Sequence, residues 1–172
     1  MPLGSDYEGQ NCSLARSLEV VGERWTLLIL RDLFLGVRRF SELRAHLDIP
    51  PAVLSARLAR LVDHGLVERR PYRPGRDELL PTGCALELWP AVYALLQWGD
   101  RHQGADGGPR RLFAHAGCGT DLDGTGACPT CERVPEVAEI VTRPGPGKPS
   151  VVRSDPVSRA LRRPHRLLTP LG

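Results

Sequence analysis

The chain has 172 residues, of which 41% are hydrophobic, and a formal net charge of +3. This length allows one ordinary domain with an appendage and excludes two full-sized domains. The longest apolar run, residues 27–30, is far too short to cross a bilayer, and no secretory signal opens the chain, so we expect a cytoplasmic protein with no membrane segment.

Helical periodicity dominates the first third of the chain. Apolar residues at helical spacing predict a first helix over residues 12–21, which Gly22 breaks. The second helix, residues 24–35, is apolar on nearly all sides, as expected of a helix at the centre of a small domain. Gly36 provides its C-terminal cap.

Two further helices are predicted on either side of a tight turn. Ser41 is the predicted N-cap of a short helix over residues 42–47. Pro51 suits the first position of a fourth helix over residues 51–64. This helix keeps its leucines and valines on one face, while Ser55, Arg57 and Arg60 project from the others. A helix of this kind fits the major groove of DNA and can reach base edges.

A Pro-Gly turn between two extended runs, residues 66–72 and 77–80, predicts a β-hairpin. Arg73 and Arg76 flank its tip, from which they can reach the DNA backbone or minor groove. A last helix is predicted over residues 82–102, where Pro90 either kinks the helix or marks its effective start. Four helices, a hairpin and a helix predict a winged helix-turn-helix, a mainly α fold with a small β wing.

Positive charge is concentrated in the same region. Nine arginines and four acidic residues lie between Arg38 and Arg76. Arginine makes the bidentate contacts that phosphate and guanine accept. A solvated basic face explains the charge equally well on its own, but a hairpin placed directly after an amphipathic helix favours DNA binding.

Five segments of the chain, taken in order, carry a family resemblance. They are CSLAR (12–16), GERWTLLILRDL (22–33), GVRRFSEL (36–43), LSARLARL (54–61) and GLVER (65–69). Together they resemble the HxlR-type family of bacterial regulators. The resemblance covers about residues 11–103 and implies a dimeric winged-helix protein that binds double-stranded DNA and pairs through its first and last helices.

The same resemblance implies which side chains face DNA. Residues 51–64 would form the recognition helix, and the residues before the third helix would contact phosphate. The implied DNA-binding residues are Arg38, Arg39, Ser41, Ser55, Arg57, Arg60, Arg73 and Arg76.

Two positions depart from the family pattern. Pro50 replaces the usual Ser or Thr before the recognition helix, so a side-chain cap worth about 1 kcal/mol is missing. The segment LLPTG (79–83) replaces the usual Leu-Thr-Pro-x-Gly, so we expect the cap of the last helix to be missing too.

Cys12 matches a family cysteine that senses electrophiles or oxidants in some members. Its place at a helix start, with Arg16 one turn away, favours the thiolate. Cys12 is therefore a redox-sensing candidate, and a buried or structural thiol is the alternative.

The last third of the chain is rich in glycine and proline, and we place a boundary near Gly104. Residues 110–142 form a small irregular module whose candidate metal ligands are His115, Cys118, Cys128 and Cys131, with the spacing of a zinc ribbon. A redox-active Cys128/Cys131 pair and a packed cluster without metal are the alternatives. Residues 143–172 read as a mostly disordered basic tail.

The sequence therefore predicts a sequence-specific DNA-binding regulator, a dimeric repressor released by a small-molecule or redox signal. The alternative is a metal-binding or thiol-redox protein that uses its winged helix for protein contacts. None of the usual catalytic motifs is found, so we do not expect an enzyme.

Overall fold

The computed structural model describes residues 7, 9–104, 107–147 and 152–171. No helix within these ranges is long and apolar enough to span a membrane. A single 3₁₀ turn, Val137–Glu139, precedes the fourth strand. The elements are α1 (Ser13–Val21), α2 (Thr26–Phe34), α3 (Phe40–Leu47), α4 (Pro51–Asp63), β1 (Val67–Arg73), β2 (Arg76–Pro81), α5 (Gly83–Leu86), α6 (Trp89–His102), β3 (Arg111–His115), β4 (Ile140–Pro144), α7 (Pro156–Ala160) and β5 (His165–Arg166).

Helix α2 lies at the centre of the core, as its apolar sequence predicts. Ile29, Leu30, Leu33 and Phe34 are completely buried. The helix ends at Phe34, and Gly36, two residues later, has a φ of +88°, the left-handed conformation that glycine adopts without a steric penalty. The predicted glycine cap is confirmed.

The start of α3 differs from the prediction. Ser41 is not the N-cap, because the helix already begins at Phe40 and Arg39 occupies the cap position. The Arg39 N–H donates to Oε2 of Glu42 at 3.2 Å, which is one half of a capping box. Ser41 lies inside the helix, because the carboxylate of Glu42, and not the serine hydroxyl, bonds the backbone at the start of α3. At α4 the predicted lack of a side-chain cap at Pro50 is confirmed.

The predicted last helix is two helices, and its cap is present. Pro90 lies in the first turn of α6 and so marks the effective start of the long helix. The expectation of a missing cap was wrong, because the side chain of Thr82 caps the N-terminus of α5. Its Oγ1 accepts from the Ala85 N–H at 3.3 Å and donates to the Gly65 carbonyl at 2.6 Å.

The hairpin β1–β2 is antiparallel, with Val67 opposite Pro81 and Arg73 opposite Arg76. Gly75, at φ +68°, closes the turn at its tip. The Leu79 N–H also donates to the Arg38 carbonyl at 2.8 Å, so the segment before α3 is held against the wing. The predicted winged helix-turn-helix is confirmed in these elements.

The C-terminal part adds a second antiparallel sheet in the order β3-β4-β5. Phe113 of β3 packs edge-on against Trp89 and Tyr93 of α6, with ring centroids 5.6 Å and 5.5 Å apart. Phe113, Ile140 and Leu167 belong to the same buried cluster as the leucines of α2. The packing therefore does not separate the two parts at Gly104, because one core runs through both.

The prediction of a mostly disordered tail is wrong for residues 152–171. Val157, Leu161 and Leu167 are at most 5% exposed. The Leu168 N–H donates to the Phe34 carbonyl at 2.8 Å, and the Leu171 N–H donates to the Gly36 carbonyl at 3.2 Å. The tail is ordered because it binds the carbonyl groups that α2 leaves without helical partners. Residues 148–151 and 172, which include Lys148, lie outside the described residues.

Candidate nucleic-acid interface and metal centre

Helix α4 buries one face and exposes another. Leu54, Leu58 and Leu61 are completely or almost completely buried against the core. The opposite face carries mostly small side chains, so the backbone of this helix can approach a groove closely. The exposed residues there are Ala52, Ser55, Ala56, Ala59 and Asp63.

The two arginines of α4 are held at the flank of that face. Nη1 of Arg57 lies 2.8 Å from a carboxylate oxygen of Glu23, and the Arg57 side chain is only 22% exposed. Arg60 is more open, at 49%, with Nη1 3.4 Å from the same carboxylate. Its Nη2 donates to the Glu19 carbonyl at 3.2 Å. The structure thus ties both predicted base-reading arginines to the turn between α1 and α2.

An arginine–tyrosine cluster joins the start of α3 to the wing. The guanidinium of Arg39 lies 5.6 Å from the Tyr72 ring centroid, and that of Arg73 lies 5.9 Å from it. Sequence analysis missed Tyr72, although an aromatic residue among wing arginines is a usable signal. Ser41 and Arg76 are exposed nearby in α3 and at the wing tip.

Arg38 is turned inward. Its Nη2 donates to the Leu168 carbonyl of the tail. Burial lowers the pKa of Arg38, and the neighbouring Arg70 lowers it further, against the opposing effect of Glu78. One nitrogen of this half-buried guanidinium is bonded to the tail, so the phosphate contact that the resemblance implies has to compete with the Leu168 carbonyl.

The first pair of candidate metal ligands lies on a tight turn after β3. The His115 N–H donates to the Thr120 carbonyl at 2.9 Å, and the Gly119 N–H donates to the His115 carbonyl at 2.8 Å. Gly119, directly after Cys118, has a φ of +75°. The turn therefore reverses the chain between its two ligands.

The second pair repeats this turn. The Cys128 N–H donates to the Arg133 carbonyl at 2.8 Å, and the Glu132 N–H donates to the Cys128 carbonyl at 2.9 Å. Glu132, directly after Cys131, has a φ of +51°. Two turns of the same length and hydrogen-bonding pattern thus face each other, each with a ligand at its first and fourth positions.

The four ligand atoms meet in one cluster and all lie within 4.8 Å of one another. Sγ of Cys118 is 3.4 Å from both Sγ of Cys128 and Nδ1 of His115. Tetrahedral zinc with bonds of about 2.0–2.3 Å holds its ligands about 3.7 Å apart, so the donor set and its spacing fit such an ion. This cluster can bind a metal.

The pKa values of two thiols in the cluster are shifted in opposite directions. Hydrogen bonds from Thr120 lower the pKa of Cys118 to about 6. The neighbouring Cys118 raises the pKa of Cys131 to about 11, with further contributions from burial and Cys128. Glu139 pairs with Arg133 at 2.7 Å beside the cluster.

Cys12 is exposed and occupies the N-cap position of α1. Hydrogen bonds from the Ala15 and Leu14 backbone amides lower the pKa of its thiol. The charge of Arg16, one turn on, is shared with Glu19 at 2.8 Å. The backbone amides at the start of α1 therefore stabilise the Cys12 thiolate more than the charge of Arg16 does.

Large apolar side chains are exposed on α1 and on α6, and one more on α2. Leu14 is 65% exposed, Leu95 54% and Trp98 51%. Leu18 and Leu28 are also exposed large apolar residues. The resemblance implies that the first and last helices pair in a dimer, so the side chains on α1 and α6 are the ones expected at that contact.

Comparison with known proteins identifies the family to which the chain is similar and the functional class of its relatives. Residues 20–106 match the family model described as HxlR-like helix-turn-helix. An HTH-type transcriptional regulator of Mycobacterium tuberculosis is 42% identical over 147 residues, or 84% of this chain and 92% of the relative. YdeP of Bacillus subtilis, another HTH-type transcriptional regulator, is 27% identical over 59% of this chain and 84% of its own length.

Two solved structures share the winged-helix part. The crystal structure of PA1607, described as a transcription factor, has a TM-score of 0.54 and 35% identity, covering 58% of this chain and 70% of that one. The redox regulator HypR in its reduced form has a TM-score of 0.50 and 26% identity, covering 54% of this chain and 94% of that one. The chain belongs to the HxlR-like helix-turn-helix family and is a transcriptional regulator with a winged helix-turn-helix DNA-binding fold.

Proposed function

We propose that this protein is a sequence-specific repressor that binds DNA as a homodimer in the cytoplasm and leaves it in response to a small-molecule or redox signal. The observation that carries the proposal is the arrangement of Arg39, Tyr72 and Arg73, which joins the start of α3 to the wing beside the exposed face of α4. The proposed activity is binding and not catalysis.

The proposal divides the basic side chains by role. Ser55 and Arg60 lie on or beside the exposed face of α4 and would reach base edges, for which Arg60 must leave Glu23. The other exposed residues would hold phosphate and fix the position of the protein on the duplex. Arg57 would act indirectly, because its ion pair with Glu23 fixes the position of α4. Arg38 would likewise act indirectly, through its hydrogen bond to the tail. The proposed phosphate-binding residues are Arg39, Ser41, Arg73 and Arg76.

A gel shift with genomic fragments at about 0.15 M salt tests this function. We expect some fragments to bind far more tightly than random DNA. Arg60→Ala should relax the preference among bases, whereas Arg76→Ala should weaken binding to all fragments evenly and reduce the salt slope by about one. If no fragment is preferred over random DNA, the protein is not a specific regulator.

We further propose that residues 110–142 form a module that holds structural zinc through His115, Cys118, Cys128 and Cys131. The support is the repeated turn that places a ligand at its first and fourth positions. Metal analysis of freshly purified protein should give about one zinc per chain, and Cys131→Ser should reduce it. A reversible Cys128–Cys131 disulfide in metal-free purified protein would favour the redox alternative.

Cys12 is the proposed entry point for a redox signal. Its lowered pKa supports this role, and HypR, a related structure, is a redox regulator. Oxidant should release DNA from the wild type and not from Cys12→Ser. Equal release from both proteins would remove Cys12 from the proposal.

A further inference from the structure

A cleft of about 590 Å³ opens between α6 and the C-terminal part of the chain. Its volume is within the range of small-molecule sites. Its apolar lining includes Leu35, directly after α2, and Leu95 and Leu96 of α6, together with Phe113 and Leu161 of the C-terminal part. The cleft therefore has walls from both the winged helix and the C-terminal part.

The rest of the lining is strongly basic. Asp100 is the one acidic side chain among the described lining residues, and its Oδ1 accepts from the Arg110 backbone N–H at 3.4 Å. Such a surplus of cations around an apolar wall suits a ligand that is apolar with one anionic group. The lining arginines are Arg31, Arg110, Arg111, Arg153 and Arg162.

Two of the five arginines already have carboxylate partners. Arg31 pairs with Asp32 at 2.6 Å, and Arg153 with Asp155 at 3.4 Å. Among the ion pairs of the described residues, none involves the other three lining arginines. Arg110 and Arg162 are exposed, and Nη2 of Arg162 donates to the Arg153 carbonyl at 3.1 Å, so neither charge is balanced by a carboxylate among the described residues.

Arg111 has no carboxylate partner among the described residues, and one of its three nitrogens has no acceptor. Its Nε donates to Oγ1 of Thr142 at 2.9 Å, and its Nη1 donates to the Leu161 carbonyl at 3.0 Å. Its Nη2 is buried without a hydrogen-bond partner in the described structure. Burial, aided by Arg31, lowers the pKa of Arg111 to about 10, so it stays cationic at neutral pH. Because its nitrogens are either bonded or buried, Arg111 contributes positive charge to the cleft and not a hydrogen bond to a ligand.

We propose that this cleft binds a small organic anion in which a carboxylate is attached to a compact apolar skeleton. The carboxylate pairs with the guanidinium groups of Arg110 and Arg162, because arginine recognises carboxylates with two parallel hydrogen bonds, and the charge of Arg111 in the wall of the cleft adds to the attraction. The skeleton covers Leu96 and Phe113. An inorganic anion would leave this apolar wall in water.

Binding at this site links the winged helix to the C-terminal part, because both line the cleft. A change in DNA affinity on binding rests on the proposed function, whereas binding itself does not. The site is therefore tested first by direct binding to the full chain in the absence of DNA.

Thermal unfolding with a panel of carboxylates tests the proposal. The probes are benzoate, 4-phenylbutyrate and octanoate, each beside its neutral amide, and inorganic phosphate. We expect at least one carboxylate to raise Tm by about 5 °C at concentrations about 100-fold above Kd, and its amide and phosphate to have little effect. Equal shifts from acid and amide, or no shift from any carboxylate, would overturn the proposal.

Two variants locate the site without disturbing the fold. A Cβ at Gly99, a lining residue inside α6, meets no atom within 4 Å. Gly99→Leu should fold, with a higher helix propensity, and fill the cleft. Arg162→Gln should weaken carboxylate binding about tenfold or more, whereas its exposed neighbour Arg163→Gln should not.

The outcomes separate the two proposals. Unchanged carboxylate affinity in both Gly99→Leu and Arg162→Gln would place the ligand elsewhere and overturn the site. A protein that binds the carboxylate through Arg162 yet prefers no DNA fragment would support the site and contradict the proposed function.

Discussion

Tyr72 shows how one side chain links two DNA-facing elements. It lies between the guanidinium groups of Arg39, before α3, and Arg73, in the wing. Each such contact is worth about 0.5–1 kcal/mol at an exposed site. Tyr72 thus fixes two flexible cations in advance, which reduces the entropy lost when they bind phosphate.

Removal of the ring should weaken DNA binding without unfolding the protein. We expect Tyr72→Ala to lower affinity for all DNA fragments about three- to tenfold, because both arginines lose their preferred positions. Fluorescence anisotropy with labelled DNA measures the change. Tyr72→Phe keeps the ring and is the control; a loss of the same size in Tyr72→Phe would show that the hydroxyl, not the ring, matters.

Thr82 stabilises the junction between wing and α5 through two hydrogen bonds. Thr82→Ala should lower the free energy of unfolding by about 1–2 kcal/mol, because both the helix cap and the bond to the Gly65 carbonyl are lost. Urea unfolding gives the value. Thr82→Ser keeps the hydroxyl and should lose far less, so equal losses in the two variants would contradict the capping role.

At the scale of elements, the paired turns around His115 and Cys128 contain few large apolar side chains. Such turns need another source of stability, and a bound metal supplies it by linking both. The module nevertheless touches the core through Phe113, so its folding is not independent of α6.

Metal removal should therefore loosen the turns before it unfolds the winged helix. With chelator, we expect amide hydrogen exchange to rise at Cys118–Gly119 and Cys131–Glu132 by at least about tenfold, while α2 stays protected. Exchange followed by mass spectrometry resolves the two regions. Chelator that leaves exchange unchanged at both turns would mean that packing alone holds them.

At the scale of the whole molecule, the tail completes the core. Leu167 is 1% exposed, and the residues after it bind the end of α2. A Cβ on Gly36 would lie 1.8 Å from the Thr169 carbonyl oxygen, so the tail passes closer than any other residue type permits. One cooperative unit is expected from this packing.

Leu167→Ala tests that expectation. It should lower the free energy of unfolding by about 2–5 kcal/mol in a single transition that includes the winged helix. Calorimetry detects one or two transitions. Thr169→Ala, at an exposed position, is the control, and a separate low-temperature transition in Leu167→Ala would show that the tail unfolds alone.

The apolar surface on α1 and α6 belongs to the same scale, because a homodimer would bury it. Trp98→Glu should shift the protein towards a monomer, since a charge would enter the proposed interface. Analytical ultracentrifugation measures the mass. Val134→Glu changes a residue that is 58% exposed on the C-terminal module and should leave the mass unchanged; a wild-type monomer would refute the dimer.

The sequence by itself determined the order of elements from α1 to the β1–β2 hairpin, the central position of α2 and the paired spacing of the cluster. These features are local: apolar periodicity, glycine and proline positions, and ligand intervals act over a few residues. The sequence also located Arg73 and Arg76 on the wing, because a Pro-Gly turn fixes the tip wherever the hairpin packs.

Only the tertiary structure decided which of these side chains are free to act. Arg57 pairs with Glu23, which is 34 positions away, and Arg38 bonds to the tail across 130 positions. Thr82 bonds to the Gly65 carbonyl 17 positions away, and residues 152–171 contact the end of α2, which no local pattern connects to them. Contacts of such separation depend on the packing of the whole chain, so helical propensity and composition gave no sign of the ordered tail or of the arginine-lined cleft beneath it.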